Sequence, residues 1–544
     1  MKKLIFIFLI LISNIVLAVP QEIVPGVTLE RFSSYDGTKQ IINVARIDLT
    51  REDIHIGVAI GDSEKSNGKQ AVSTIVEENK ALLGVNADFF IMEAFRDNLN
   101  FSMVKGEIIS EPQLNRSVMF INRDNHIFFS VPKMNITATL SNGQSFNITG
   151  INRNRNSGDT IIYTDKFAST TLNKYKAFDV ILKPVFGEKI TPNSSVTYQV
   201  EKLLPNSFNN KIETGKVVLS SSLKACPVFS DLQIGDVITI NYSLTASEDV
   251  SNVLYATGGG PMLVQNGVVN LTSKAENFKS DITGGAAPRT AVGVNRDNTE
   301  LILVTVDGRS ENSKGMTLQT LAQYMENLGA FNAMNLDGGG STTMSILGLV
   351  MNSPSGVVER NVANALLVFS DYKGNKFSSF KDLSGSIFRG NAPYLLTNNS
   401  GVWGTKGGIG YVSDLNVLHT SKDDRKGILG FVYEGVRYDY PIEISNASIG
   451  DVQILSVESE ESEKGVIYHC KAQLIDKNNN IMSISPIFIY AENGALRNIR
   501  YISDPQGIVD FDVLFYKNSE EISDEPVKKS LRFVFAGFTK TFEF

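Results

Sequence analysis

Two apolar strands bracketing one amphipathic helix, between residues 300 and 340, constrain the fold more than any other stretch of the chain. The run "ELILVTV" is apolar on four successive residues, 301–304, as in a strand covered on both faces. "MTLQTLAQYMENLGAF" then places apolar residues at 318, 321, 322, 325 and 328, the spacing of one helix face. Thr317 fits an N-cap and Gly329 a stop. "NAMNLDGGG" follows as a second buried strand. Strand, helix and strand within so short a span suggest a crossover unit whose two strands could be parallel neighbours. Asp307 and Asp337 would then both lie at strand carboxyl ends, on one edge of a sheet, where open sheets place their ligands.

The rest of the chain is turn-rich. Residues 27–60 alternate around the turn "YDGTKQ", and 71–82 carry apolar residues at 71, 72, 75, 76 and 82, a helix that feeds the strand "LLGVNADFF". Many short strands broken by Asn, Gly and Ser fill 130–250, a β-rich insert. "PMLVQNGVVNL" places Asn266-Gly267 between two apolar runs, a two-residue hairpin signal. The polar, glycine-dotted stretch 371–386 is read as a linker, 387–447 as a β-rich segment, and 448–544 as a small β-sandwich. With 544 residues the chain exceeds one hydrophobic core. The expected fold class is α+β: a mixed β-sheet with packed helices over 25–370, followed by C-terminal all-β, sandwich-like modules.

Residues 1–18, MKK followed by LIFIFLILISNIVLA, have the charge, apolar core and small-residue end of a secretory signal peptide. The expected location is therefore secreted, periplasmic or at the cell surface, with no membrane span after cleavage. Loss of Lys2 and Lys3 with the leader takes the net charge from −7 to −9. So acidic a chain, without basic blocks, argues against nucleic acid as a partner. The two cysteines, Cys226 and Cys470, could pair or remain buried thiols, and they exclude a Cys-rich zinc site. The four histidines show no ligand spacing, so a His-based metal site is not expected. No cofactor is required; a divalent cation held by Asp and backbone oxygens is compatible with the sequence, and the metal question stays open.

Asp337 is followed by Gly338, Gly339, Gly340, Ser341, Thr342 and Thr343. Glycines let a ligand approach the main chain, consecutive N–H groups can cradle an anion, and hydroxyls add donors. It is not a P-loop, since GxxxxGK[ST] is absent. By itself the stretch could equally be a tight turn. Other candidates accompany it: a second triplet with Gly259 and Gly260, Arg289 and Arg309, Asn86 and Asp88 among large apolar residues, and Glu359, Arg360 and Asn364 in "ERNVANAL". Guanidinium matches phosphate bidentately, and Asp and Asn at strand ends suit sugar hydroxyls or acid–base work.

"VNADFF", "GGGPMLVQNG", "PRTAVGV", "LVTVDGR", "GMTLQTLAQYMENLGAFNAMNLDGGGSTTM" and "ERNVANAL" occur in this order. With them the region from 25 to 370 resembles the phosphodiester glycosidase family, and the 130–250 insert is similar to that of its bacterial branch. Many relatives have Asn-Gly-Gly-Phe-Phe where this chain has Asn86-Ala87-Asp88-Phe89-Phe90. The resemblance implies cleavage of a sugar-1-phosphodiester at the glycosidic C–O bond, with an α-N-acetylglucosamine phosphate of a surface polymer or glycan as the expected substrate. A phosphate leaving group needs charge stabilisation more than protonation, which Arg289, Arg309 or Arg360 and the glycine amides could supply. Asp337 is the expected carboxylate facing the sugar, Asp307 or Asp88 its partner, and Glu359 the reserve. A different class of reading is a non-catalytic adhesion protein on a degenerate scaffold. A phosphatase or nuclease cutting P–O fits less well, because metal ligands are not clustered in the sequence.

Overall fold

The computed structural model describes residues 19–544, apart from 62–67, 93–98, 114, 187–188, 357, 376–381, 399, 447–448, 478, 484, 486, 518–527 and 536–537. The leader expected over 1–18 and the centre of the expected linker lie outside the described residues. The α+β expectation is corrected: the protein is predominantly β, with forty strands and only three α-helices among the described residues. The helical periodicities are real but short. They form Val72–Glu78 and Leu318–Asn327, the third helix being the single turn Ser280–Thr283. Nearly every other apolar run is strand.

Two large sheets carry the centre. The first has eight strands, in the order Gln21–Val24, Val27–Tyr35, Thr38–Asp48, Glu300–Val306, Arg289–Val294, Asn332–Asn335, Met262–Gln265 and Val268–Val269. Every adjacent pair is antiparallel, so the sheet is not mixed. The two strands flanking the long helix run parallel to each other, but they are not neighbours. Arg289–Val294 lies between them, antiparallel to both. The crossover reading missed it because that strand precedes both in the chain. Asn266 and Gly267, both at positive φ, close the expected hairpin.

The second sheet has nine strands. Ile54–Ile60, Asn364–Ser370, Leu83–Asn86, Met344–Ile346 and Leu349–Val350 continue into Val402–Lys406, Arg425–Tyr433, Val436–Ser445 and Ile387–Arg389. Strand alternation explains how the two sheets stack. Val292, Val294, Leu301 and Leu303 share one core with Leu83, Val85, Leu366 and Val368 of the other sheet. The intervening Ala291, Ile302 and Val304 face away, against Leu318, Leu321 and Met325 of the long helix. Likewise Ala365 and Leu367 turn to Val72, Ile75 and Val76 of the first helix. Thr317 caps the long helix by accepting from Thr320 N–H at 3.1 Å, and Gly329 ends it at positive φ.

Around this pair of sheets lie a five-stranded sheet that includes Val253–Gly258, and an eight-stranded sheet from Lys133 to Thr245. A separate core holds the four- and three-stranded sheets of Ile449–Glu543. Both cysteines are buried free thiols, each in a different core.

Candidate active site

The antiparallel register brings the carboxyl ends of Glu300–Val306 and Asn332–Asn335 to one edge of the first sheet, beside the start of Arg289–Val294. At the matching edge of the second sheet, Leu83–Asn86 ends where Met344–Ile346 and Asn364–Ser370 begin. Asn86 joins the two edges. Its Nδ2 donates to the Asp337 carbonyl at 2.6 Å, while its Oδ1 accepts from Thr290 Oγ1 at 2.8 Å and Thr343 N–H at 3.1 Å. Asp337 N–H donates to the Ala87 carbonyl at 2.8 Å. The loops "NADFF" and "LDGGGST" are thus bonded to each other at the mouth of the stacked sheets.

Asp88 lies there within electrostatic reach of Asp337. Asp88 is buried, its Oδ1 accepting from Phe89 N–H at 2.8 Å and its Oδ2 from Asn100 N–H at 3.0 Å. Its own N–H donates to Asn364 Oδ1 at 2.9 Å, and Asn364 Nδ2 reaches Thr257 Oγ1 at 3.1 Å. Burial pushes the Asp88 carboxyl up to about 8. The two backbone donors and Arg116 act against that shift, and the neighbouring Asp337 charge adds to it. Asp337 is half-buried, and burial raises it to about 6. The Ser341 hydroxyl, the Arg360 charge and the Gly338 N–H hold it below Asp88. Both carboxyls are thus raised, Asp88 further than Asp337.

Around the triplet of Gly338, Gly339 and Gly340 the structure packs cations. A Cβ on Gly339, which has φ +59°, would lie 3.2 Å from Arg309 Nη2, and one on Gly340 would overlap the Arg360 guanidinium. The glycines therefore seat two arginine side chains against the backbone next to Asp337. Arg360 Nη1 also donates to Ser341 Oγ at 3.4 Å. Gly340→Ala should swing Arg360 off the loop with little change in thermal midpoint. Binding of an anionic substrate is expected to weaken roughly tenfold, about 1.4 kcal/mol, read as a rise in KM.

The other candidates are placed elsewhere or are already engaged. Asp307 is buried, accepting from Asn352 Nδ2 at 2.8 Å and Ser353 N–H at 2.6 Å, and burial raises it to about 7. Arg289 turns its guanidinium to the carbonyls of Met316, Ile282 and Gly285 at 2.9–3.2 Å. Burial, then the nearby Arg309 charge, pushes it down to about 10. Gly259 lies against Met334 and the Asn335 carbonyl, and Gly260 against Glu276. The Thr342 carbonyl accepts from Asn352 Nδ2 at 3.1 Å.

Glu359 accepts from both Ser73 N–H, at 3.0 Å, and Ser73 Oγ, at 2.6 Å, at the start of the first helix. Glu359→Ala should therefore cost about 1–2 kcal/mol in denaturant unfolding while leaving kcat unchanged.

Three residues absent from the sequence reading complete the surroundings. Arg116 lies over the Phe278 ring at 3.6 Å, and Phe278 contacts Phe89 with ring centres 5.6 Å apart. Glu276, buried, accepts from Ser117 N–H and Oγ and from Met262 N–H, and stands close enough to act electrostatically on Arg116. Nothing local marks these residues, which come together across about 160 positions of chain through strand pairing. Among the described residues no group of three or more His, Cys, Asp and Glu side chains is placed to hold a metal ion.

Residues 193–369 match the family described as phosphodiester glycosidase. Among curated proteins, the SPbeta prophage-derived uncharacterized protein YomE of Bacillus subtilis is 40% identical over 81 residues, 15% of this chain and 12% of that protein. The N-acetylglucosamine-1-phosphodiester alpha-N-acetylglucosaminidase of Mus musculus is 29% identical over 165 residues, 28% of this chain and 32% of that protein. The match thus spans at most about a third of either relative's length. A hypothetical protein from Synechocystis, known from its crystal structure, shares the fold with a TM-score of 0.54 at 23% identity, over 64% of this chain and 62% of that one. Over residues 193–369, the chain is thus similar to the phosphodiester glycosidase family.

Proposed function

We propose that the protein hydrolyses a sugar-1-phosphodiester at the glycosidic C–O bond, releasing the sugar and a phosphomonoester. The observation that carries this reading is the Asp88–Asp337 pair, whose surroundings push the two carboxyls apart to about 8 and about 6 beside two arginines seated on glycines. Asp337, the more acidic and more accessible, faces the sugar and stabilises its developing oxocarbenium charge, as nucleophile or as base for water. Asp88 retains its proton and donates a hydrogen bond at the reacting centre. Arg360 and Arg309 balance the charge that builds on the departing phosphate. Asn86, Asn364 and Asp307 act as positioning residues, because each is saturated by protein partners. Arg289 does the same for the loop around Gly285.

The name of the mouse relative supports α-linked N-acetylglucosamine as the sugar. The leader-like residues 1–18 support export and a substrate in a cell-surface polymer or glycan. No helix among the described residues is long and apolar enough to cross a membrane. The test is incubation with the methyl phosphodiester of α-N-acetylglucosamine 1-phosphate. Free N-acetylglucosamine and methyl phosphate are expected. Methanol with N-acetylglucosamine 1-phosphate, or no turnover at any pH from 5 to 9, would overturn the proposal.

A further inference from the structure

The C-terminal core of Ile449–Glu543 exposes aromatic rings that the hydrolytic site does not use. Phe488–Glu492 is an edge strand of its three-stranded sheet. Its alternation buries Ile489 and turns Phe488 and Tyr490 outward, 57% and 50% exposed. Two residues of strand separate them by about 7 Å. Tyr501, 46% exposed, extends the row, its ring centre 6.3 Å from that of Phe488. The row is held in place: the Tyr501 carbonyl accepts from Ile487 N–H at 3.0 Å, and the cross-strand Arg532 guanidinium lies 5.3 Å from the Tyr490 ring centre. These three rings line a shallow depression of about 500 Å³.

Tyr501 also lines a cleft of about 1230 Å³ between this core and the 383–403 segment. Part of its lining is polar and carries both signs of charge, two basic side chains against three acidic ones. Lys471 lies 3.9 Å from Asp510, Asn498 Nδ2 donates to Asp512 Oδ2 at 2.5 Å, and Arg500 and Asp504 add one charge of each sign. A row of exposed aromatic faces running into a cleft with both donors and acceptors has a definite complement. A pyranose ring offers a flat apolar C–H face to an aromatic ring, while its rim of hydroxyls satisfies donors and acceptors together. The net acidic lining of the cleft disfavours a polyanion, and among the described residues lining the depression there is no lysine or arginine cluster of the kind that draws a protein to an anionic lipid surface.

We propose that this face is a second saccharide-binding site, taking a neutral polysaccharide across Tyr490, Phe488 and Tyr501 and on into the cleft at Asn498 and Asp510. Such a site would hold the enzyme on a polymer while the Asp88–Asp337 pair, outside this core, turns over phosphodiesters. Binding does not depend on turnover, so Asp337→Asn should bind as the wild type does, and loss of hydrolysis leaves this proposal standing.

Native electrophoresis of the full chain through gels containing glycol chitin or hydroxyethylcellulose tests it. Wild type and Asp337→Asn should be retarded by at least one of the polymers. The Phe488→Ala/Tyr501→Ala double variant should lose at least tenfold in affinity, with Tyr490→Ala intermediate, and both should hydrolyse the small methyl phosphodiester at the wild-type rate. Because all three rings are exposed, near-native thermal midpoints are expected for these variants. Free migration of the wild type in both gels, or equal retardation of the double variant, would overturn the proposal. Sedimentation with anionic lipid vesicles that depends on Phe488 and Tyr501, without retardation by either polymer, would also overturn it and assign the platform to a membrane surface.

Discussion

Asp337→Asn is expected to lower turnover of a sugar phosphodiester by roughly 10²–10⁴-fold while the thermal midpoint stays at or above that of the wild type. The carboxylate supplies negative charge at the sugar, and an amide of the same shape keeps the Gly338 N–H contact to Oδ1 at 2.9 Å without the charge. The backbone anchors of the residue, its N–H to Ala87 and its carbonyl to Asn86, do not involve the side chain and survive the change. Because burial already disfavours the ionised form, removing the charge relieves the fold rather than straining it. Loss of activity with loss of the folded baseline would point instead to a structural role for Asp337. Retention of more than a tenth of wild-type turnover would remove it from the reacting centre.

The second large effect belongs to Asp88, where the variant separates protonation from shape. Turnover should follow a bell, rising as Asp337 ionises near pH 6 and falling as Asp88 loses its proton near pH 8. Asp88→Asn should remove the alkaline limb and lower the plateau by roughly 10²-fold. It should also cost about 1–3 kcal/mol. Both carboxyl oxygens accept backbone N–H groups, from Phe89 and Asn100, and an amide can satisfy only one of them.

Stability reports the same proton. The folded-state value for Asp88 is raised, so the folded protein binds that proton more tightly than the unfolded chain does. The stabilisation is complete below about pH 4 and is lost as pH rises through about 8. Asp307, raised by burial to about 7, adds to the trend in the same direction. The wild-type melting temperature should therefore fall between pH 5 and 8.5, and fall less steeply in Asp88→Asn. An equal slope in the two proteins would show that Asp88 ionises normally.

Much of this site could be read from the sequence, because its parts sit where apolar strands end. Asp337, Asn86 and Asn364 each adjoin a buried run, and strand register alone carries them to one place. Local pattern misled on how the edge is made. The strand–helix–strand run suggested adjacent parallel strands, yet Arg289–Val294 is inserted between them and the sheet is antiparallel throughout. That insertion still leaves both strand ends at one edge, so Asp307 and Asp337 share a side for a different physical reason.

The α+β expectation gave two amphipathic helices too much weight. Each covers the outer face of one sheet, while the interior is sheet on sheet. What a side chain touches could not be read at all. Arg289 and Glu359 have the composition of site residues, but backbone carbonyls hold one and Ser73 the other. Arg116 carries no motif and reaches Phe278 and the field of Asp88 only through the fold.

In the proposed reaction the bond broken is sugar C–O, and the Asp88–Asp337 pair breaks it. Hydrolysis of the methyl phosphodiester of α-N-acetylglucosamine 1-phosphate in 18O-labelled water at pH 7, followed by mass spectrometry of methyl phosphate, tests it directly. Methyl phosphate free of label is expected, with label at the sugar C1 oxygen before exchange and with turnover abolished in Asp337→Asn. One labelled oxygen in the methyl phosphate would mean attack at phosphorus and would contradict it.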